Sequence, residues 1–373
     1  MTHEWSRRNL LRASALTGLG LAAGSRLAAP ALAKDLKGSG TVIVHDGGGA
    51  MGVAQRKAYS EPFEAATGIK VVHQAGVPAG VQRAAILAGA PKHDVANISG
   101  GALDGFVQEN LLTAIDYGWW EKADRDSYDV VPASTYAVPA MLYSMLTVFD
   151  RSRFKDKAPG SWADIWNVRD FPGRRSLAAG ANAADGATFE IALMADGVPP
   201  EKLYPLDWER ALRSLDRLRA DVVKWWANGA ESVQLLVDKQ SAAGSAWNGR
   251  VDGANDQGAT LGTSWNQGIL QWAGWAVPKG AANVENAMKY IAFMSLPEPQ
   301  ARFSELITYG PTNARAFGFM TPARIALMPT APQFKRLQVV QDYGFWNRTD
   351  ANGQNGLKRA VVEWERWVTS SKR

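Results

Sequence analysis

The chain has 373 residues, 46% of them hydrophobic and 21% charged, enough for about two domains with a sizeable core. Its formal net charge of +5 is concentrated at the start: residues 1–33 hold four of the 41 basic residues and one of the 36 acidic ones, leaving 37 against 35. That near-balance excludes a charge-driven nucleic-acid or membrane-surface binder, and the absence of Cys excludes disulfides and a lipid-anchored cysteine.

In chain order, Ser6-Arg7-Arg8-Asn9-Leu10-Leu11-Arg12, a mild Ala/Leu/Gly run and then Ala31-Leu32-Ala33 predict a twin-arginine signal peptide over 1–33, cleaved near Lys34. An amphipathic first helix is the alternative. No other apolar run approaches the roughly 20 residues a bilayer span needs, so the mature chain is expected to be periplasmic and not membrane-spanning.

Thr41-Val42-Ile43-Val44 predicts a strand running into Gly47 to Gly52, a G-x-G-x-x-G pattern before a helix. The dinucleotide reading fails because the next strand, Lys70 to His73, ends in Gln74 with no carboxylate for a ribose. What survives is backbone N–H groups at a helix start able to approach a ligand, which makes Gly48 and Gly49 candidate binding residues. Val77 to Ala90 predicts an amphipathic helix and Asp94 to Ile98 a strand closing in Ser99-Gly100-Gly101. Strand, helix, strand argues for a parallel sheet, whose ligands sit beyond the carboxyl ends of strands, so Ser99 and Gly100 join the candidates; an ordinary turn is the alternative.

Tyr136 to Phe149 is apolar and broken by Pro139, and predicts strands running from one domain into another. A helix starts at Trp162 after a Ser161 cap, a strand at Ser176 to Ala178, and the loop Gly180 to Gly186 precedes a helix at Thr188 to Met194. That loop repeats the geometry of the first and brings in Asn182. Trp208 to Asp221 and Gln234 to Lys239 predict helices with a strand at Val222 to Trp226 between them, and Asn283 to Met294 and Glu298 to Ile307 predict two more.

Between these lies Ser241 to Gly280, where Trp247, Trp265, Trp272 and Trp275 crowd around Asn248, Arg250, Asn266 and Gln267. A strand end should deliver the aromatic, amide and guanidinium of Trp247-Asn248-Gly249-Arg250 into a turn, a set suited to holding a small polar molecule. A Trp-rich core is the plainer alternative.

A-W-N-G-R, W-N-Q-G and W-A-V-P-K-G-A in this stretch resemble the return segment of extracellular solute-binding proteins of ABC importers, in the group that includes spermidine/putrescine-binding proteins. The resemblance continues in HDGGGAMGVAQRKAYSEPFEAATGIKVV, GSWADIWNVRDFPGRRSL and ENAMKYIAFMSLPEPQARFSELITYGPTNARA, and covers nearly all of the mature chain. It implies an α/β fold of the type II periplasmic-binding kind, two lobes each built on a mostly parallel sheet with flanking helices and a ligand cleft between them. Lobe 1 is expected over 34–145 plus 262–330, lobe 2 over 146–261, and a C-terminal helical wrap over 331–373, in which Phe345-Trp346-Asn347 could reach the cleft. It further implies that the first loop lines the cleft and that Tyr143 faces it at the interdomain crossover. The partners implied are a small-molecule ligand and an inner-membrane ABC permease with its ATPase; a monomer is expected, with no nucleic acid, no cofactor and no metal.

Catalytic signatures are missing: there is no G-x-S-x-G elbow, and His3, His45, His73 and His93 lack metal spacing. Ferric-ion-binding relatives present adjacent tyrosines, and this chain has no Tyr-Tyr pair, so iron is not expected. A solute-binding protein, not an enzyme, is the leading function; a twin-arginine-exported enzyme and a sensor's binding module are the alternatives. Amine-binding members of the family carry Asp-x-Trp before V-P-K-G, where this chain has Ala273-Gly274-Trp275: the Trp stays and the carboxylate is lost. Arg250 could grip a carboxylate or form a structural bridge between lobes. The expected ligand is therefore an organic anion or a neutral polar or aromatic-bearing solute, with a zwitterionic amino-acid derivative second and a polyamine, which would need another acid such as Asp185, third.

Overall fold

The computed structural model describes residues 36–128, 131, 133–350 and 353–370. The signal-peptide expectation over 1–33 lies outside the described residues.

The first part alternates strand and helix: β1 (Thr41–Asp46), α1 (Gly49–Gln55), α2 (Glu61–Thr67), β2 (Lys70–Ala75), α3 (Ala79–Leu87), β3 (Ala96–Ser99), α4 (Gly100–Gln108), the two-residue β4 (Leu112–Thr113) and a single turn, α5 (Lys122–Arg125). Between α1 and α2 the backbone does not break but widens into a π turn over Arg56–Ser60, a feature that often marks a functional region. β1 and β2 pair in parallel, as a crossover through α1 and α2 requires.

Next comes β5 (Val138–Asp150), thirteen residues in one strand rather than several. Pro139 does not end it, because the register with its partner shifts between Pro139 and Met141 and the missing N–H falls at that irregularity. α6 (Trp162–Trp166) starts at a working cap, with Ser161 Oγ accepting from Asp164 N at 3.3 Å. There follow β6 (Arg175–Ala178), α7 (Ala183–Gly186), α8 (Thr188–Ala195), α9 (Trp208–Leu218), β7 (Val222–Trp226), α10 (Gly229–Val237), β8 (Ala243–Trp247) and α11 (Asn248–Asp256). α9 and α10 begin at Asp207 and Asn228, whose side chains accept from Arg210 N and Glu231 N at 3.0 Å each.

β9 (Leu261–Pro278) then runs for eighteen residues antiparallel to β5, from Asp150 opposite Leu261 to Val138 opposite Trp275. α12 (Val284–Met294), α13 (Pro297–Leu306), α14 (Pro322–Ile325), α15 (Pro332–Lys335), β10 (Val339–Val340), α16 (Tyr343–Asn347) and α17 (Gly356–Ser370) complete the chain. The main sheet has the order β10-β9-β5-β8-β6-β7, with β3 and β4 also pairing on β9. Its flanks, β6 with β7 and β8 and β10 with β9, are parallel; the long strands at its middle are antiparallel.

Those two strands contribute to two separate apolar cores. Val138, Met141, Trp275 and Val277 enter one with Val42, Tyr59, Phe63 and Phe293. Met145, Phe149 and Ile269 enter the other with Trp162, Phe189, Trp208 and Trp226. The tail belongs to the second core: Trp346 is fully buried there, and Trp364 and Trp367 meet Trp225 edge-on at 5.1 and 5.5 Å. The wrap expected over 331–373 is thus only partly helical, since β10 adds a short parallel edge to the main sheet.

Candidate functional site

The loop after β1 turns sharply, with Gly48 and Gly49 at φ 66° and 50°, a conformation glycine adopts without steric cost. Two of the N–H groups ahead of the helix start are already used locally. Gly47 N donates to Gln55 Oε1 at 2.9 Å and Gly48 N to Asp46 Oδ1 at 2.7 Å. It is the carbonyls that face inward: Arg250 Nη2 donates to Gly47 O at 2.9 Å and Nη1 to Gly48 O at 3.2 Å. Burial works against ionisation of Asp46, yet the Gly48 N–H and the Arg56 guanidinium hold its carboxyl below the usual range.

Arg250 reaches that loop because β8 runs directly into α11 at Asn248, so the expected turn is in fact a helix start. Asn248 is 2% exposed, and both ends of its amide are engaged: Oδ1 accepts Ser144 N at 2.9 Å and Nδ2 donates to Thr308 O. It clamps β5 to the segment after α13 and is not free for a ligand, a correction to the expectation above. Around Arg250 stand rings. Tyr309 packs on Gly249 where any side chain would collide, and burial raises its phenol pKa while Arg250 counters the effect. Tyr143 lies 5.8 Å from Tyr309 and 6.1 Å from Trp247, edge-on to the latter. Among the described residues no carboxylate lies within ion-pair distance of Arg250, whose Nε is buried without a hydrogen-bond partner.

A carboxylate also lies near Tyr143. Asp185 belongs to α7, is only partly exposed, and is hydrogen-bonded by the side chain of Ser99. Burial pushes its pKa up to about 6, with the Ser99 bond pulling the other way. A Cβ on Gly101 would sit 3.6 Å from Asp185 Oδ1, and one on Gly100 would strike Tyr343 at 2.5 Å and Trp272 at 2.6 Å, so only glycines let the start of α4 come this close. Tyr143 Oη donates to Trp272 O at 3.4 Å, and Trp272 N donates to Tyr343 Oη at 3.4 Å. No cation pairs with Asp185 among the described residues.

Gln271 joins the two ends. Its Oε1 accepts the Trp247 indole N–H at 3.0 Å, while its Nε2 donates to Ala184 O at 3.0 Å, Asp185 O at 3.3 Å and Gln341 Oε1 at 2.9 Å.

Of the predicted site residues, the structure brings together Gly48, Gly49, Ser99, Gly100, Tyr143, Trp247 and Arg250. Asn182 instead anchors the start of its loop, reaching Trp226 O at 3.4 Å and Ala227 O at 3.5 Å. Trp275, 2% exposed, packs in the first core with Val138 and Val277, and Trp272, three residues earlier, is the tryptophan beside Asp185 and Tyr343. Phe345 and Trp346 turn into the second core as well. Tyr343, Tyr309 and Gln271 were not singled out as site residues; Asp185, the one acid in the Gly180–Gly186 loop, was weighed only as the acid a polyamine would need.

Two surface hollows lie elsewhere, one lined by Lys57, Arg302 and Phe319, the other by Trp208, Leu212 and Arg359. Both are open, and neither contains the opposed charges. A serine does meet a base: Ser60 Oγ lies 2.8 Å from His73 Nε2, with Asp46 at 3.4 Å from His73 Nδ1. Ser60 is 4% exposed and its hydroxyl is shared with Tyr290 and Gln55 O, so this set ties the π turn to β2 and α12 rather than facing a substrate. Among the described residues no group of three or more His, Asp or Glu could hold a metal.

An α/β sheet threaded by two long strands, with a guanidinium beside Tyr309 and a carboxylate near Tyr143 and Tyr343 in one cluster of aromatic rings, suits a small-solute binder. The chain belongs to the bacterial extracellular solute-binding protein family, which it matches over residues 58–322. It is 35% identical to the gamma-aminobutyric acid-binding protein of Pseudomonas aeruginosa over 310 residues, 80% of this chain and 84% of that one. An ABC transporter substrate-binding protein from Bradyrhizobium japonicum superposes with a TM-score of 0.77 at 32% identity, over 88% of this chain and 99% of its own. A protein solved as a GABA receptor superposes with a TM-score of 0.73 at 29% identity, over 88% and 96%. The chain is thus a solute-binding protein of the ABC-transporter kind, and no helix among the described residues is long and apolar enough to cross a membrane.

Proposed function

We propose that the protein captures a zwitterionic solute with separated amine and carboxylate ends, of which γ-aminobutyric acid is the simplest probe, and delivers it to an inner-membrane ABC permease. One observation carries this: Arg250 lies beside Tyr309 and Asp185 near Tyr143, the two phenol rings being 5.8 Å apart, and neither charge has a partner of opposite sign among the described residues. Leaving a charge without its partner in a partly desolvated site costs several kcal/mol, so two such charges on one site point to a ligand that matches both. The family's lost carboxylate has a replacement close by. Ala273 sits opposite Ser99 across the β3–β9 pair, and Ser99 is the residue that holds Asp185. A zwitterion therefore moves ahead of the anion and neutral solute favoured on the sequence. The GABA-binding relative supports the same class.

Calorimetry over GABA, succinate and putrescine tests it. The expected order is GABA first by at least about tenfold, since succinate and putrescine each carry two charges of one sign and so leave one protein charge unmatched. Tight putrescine binding with none for GABA would sink the proposal.

The two cores support a division into two lobes near the expected 34–145 plus 262–330 and 146–261, with Met145 and Ile269 of the long strands shared into the second core and Trp346, Ala360, Trp364 and Trp367 of the tail packed there as well. For location we propose export to the periplasm by the twin-arginine route, where the protein works as a monomer. Replacing Arg7 and Arg8 by Lys is expected to trap precursor in the cytoplasm, read by fractionation and by the mature N-terminus near Lys34; normal export of that variant would refute the route.

A further inference from the structure

α16 is held from behind and touches the site in front. Behind, Trp346 donates its indole N–H to Glu190 Oε1 at 2.8 Å inside the second core, and Phe345 lies over Trp208 at 6.3 Å and nearly parallel, at 28°. In front, the ring of Tyr343 occupies the space that a side chain on Gly100 would need, and meets Trp272 at 5.9 Å and a steep angle of 74°. Its hydroxyl is fixed by the Trp272 N–H, while the carbonyl of the same Trp272 fixes Tyr143. A single residue of β9 therefore holds two phenols beside Asp185.

Resting on the zwitterion reading, we infer that Tyr343 is the specificity-determining residue for ligand length: its ring forms the end wall of the Asp185 subsite. An ammonium that reaches Asp185 meets a ring that cannot retreat, because Trp346, three residues on, is locked into a separate core. A chain longer by one or two methylenes must displace the ring or withdraw its carboxylate from Arg250. The hydroxyl is not the wall, so the aromatic ring alone carries the discrimination.

The test compares GABA with 6-aminohexanoate by calorimetry on the full mature protein. The native protein is expected to prefer GABA. In Tyr343→Ala the ratio of the two affinities is expected to move toward the longer ligand by at least about tenfold, the scale on which a pocket separates ligands differing by a methylene or two. Tyr343→Phe should keep the native ratio. Should Tyr343→Ala fail to fold, as judged by its melting curve, Tyr343→Leu shortens the wall with less loss of packing and is expected to move the ratio in the same direction. An unchanged ratio in the folded shortened variant would overturn the inference while leaving the zwitterion reading intact. A native protein that binds neither ligand would overturn the zwitterion reading itself, and this inference with it.

Discussion

Asp185→Asn is expected to remove GABA binding while making the ligand-free protein more stable at pH 7. In the proposed site this carboxylate faces the ligand ammonium, and truncating one member of a desolvated, hydrogen-bonded charge pair costs about 2–5 kcal/mol, roughly 30-fold to several thousand-fold in affinity. Without ligand the same charge is a burden. Burial raises its pKa from 3.8 to about 6, so the folded chain binds this proton more tightly than the unfolded chain does. A raised carboxyl destabilises the fold where it is ionised, and that penalty fades as pH falls through about 6 toward 4. A shift of this size is worth about 2–3 kcal/mol before screening at a partly exposed site reduces it. The ligand-free native protein should therefore lose less stability between pH 7 and 5 than its other groups would dictate, and Asp185→Asn should lack that contribution. Binding should follow the opposite course: GABA affinity is expected to fall below about pH 6, because a protonated Asp185 no longer offsets the ammonium. Calorimetry and melting curves from pH 5 to 8 read both effects. Unchanged affinity in Asp185→Asn would remove this residue from the site.

The strands and helices expected at Thr41 to Val44, Lys70 to His73, Trp162 to Trp166 and Val222 to Trp226 are present because local chemistry determines them: β-branched runs, a serine cap, turn-forming flanks. β5 was harder to read, since a proline inside an apolar run looks like a break until its position at a register shift is known. The proposed site divides the same way. Arg250, Trp247 and Tyr143, which that proposal uses, were legible from the crowded stretch and from the resemblance. Asn248 was misread because sequence cannot show that Ser144 and Thr308 use its amide, residues 104 and 60 positions away. Asp185 and Tyr343 were missed as a pair for a related reason: 158 positions of chain separate them, and only the docking of α16 on the start of α4 puts both beside Ser99 and Gly100.

Arg250→Ala should weaken GABA far more than putrescine, and that difference decides between the two roles open to the guanidinium. As the structure stands, Arg250 donates to the carbonyls of Gly47 and Gly48, joining α11 to the loop after β1 across about two hundred residues of sequence. A purely structural clasp would, when lost, loosen the site for every ligand alike. A carboxylate-binding role predicts selectivity, since putrescine has no carboxylate to lose a partner. Charge-assisted bonds from guanidinium to carboxylate exceed those to a neutral carbonyl by roughly a factor of two, so an incoming carboxylate can displace the glycine carbonyls. The expected loss for GABA is about 2 kcal/mol or more, at least roughly 30-fold, with putrescine changed by less than about threefold. Arg250→Lys should recover only part of the GABA affinity, because an ammonium keeps the charge but not the two parallel donors. Equal losses for both ligands, accompanied by a lower melting temperature, would assign Arg250 to the clasp and leave the carboxylate end of the ligand to another group.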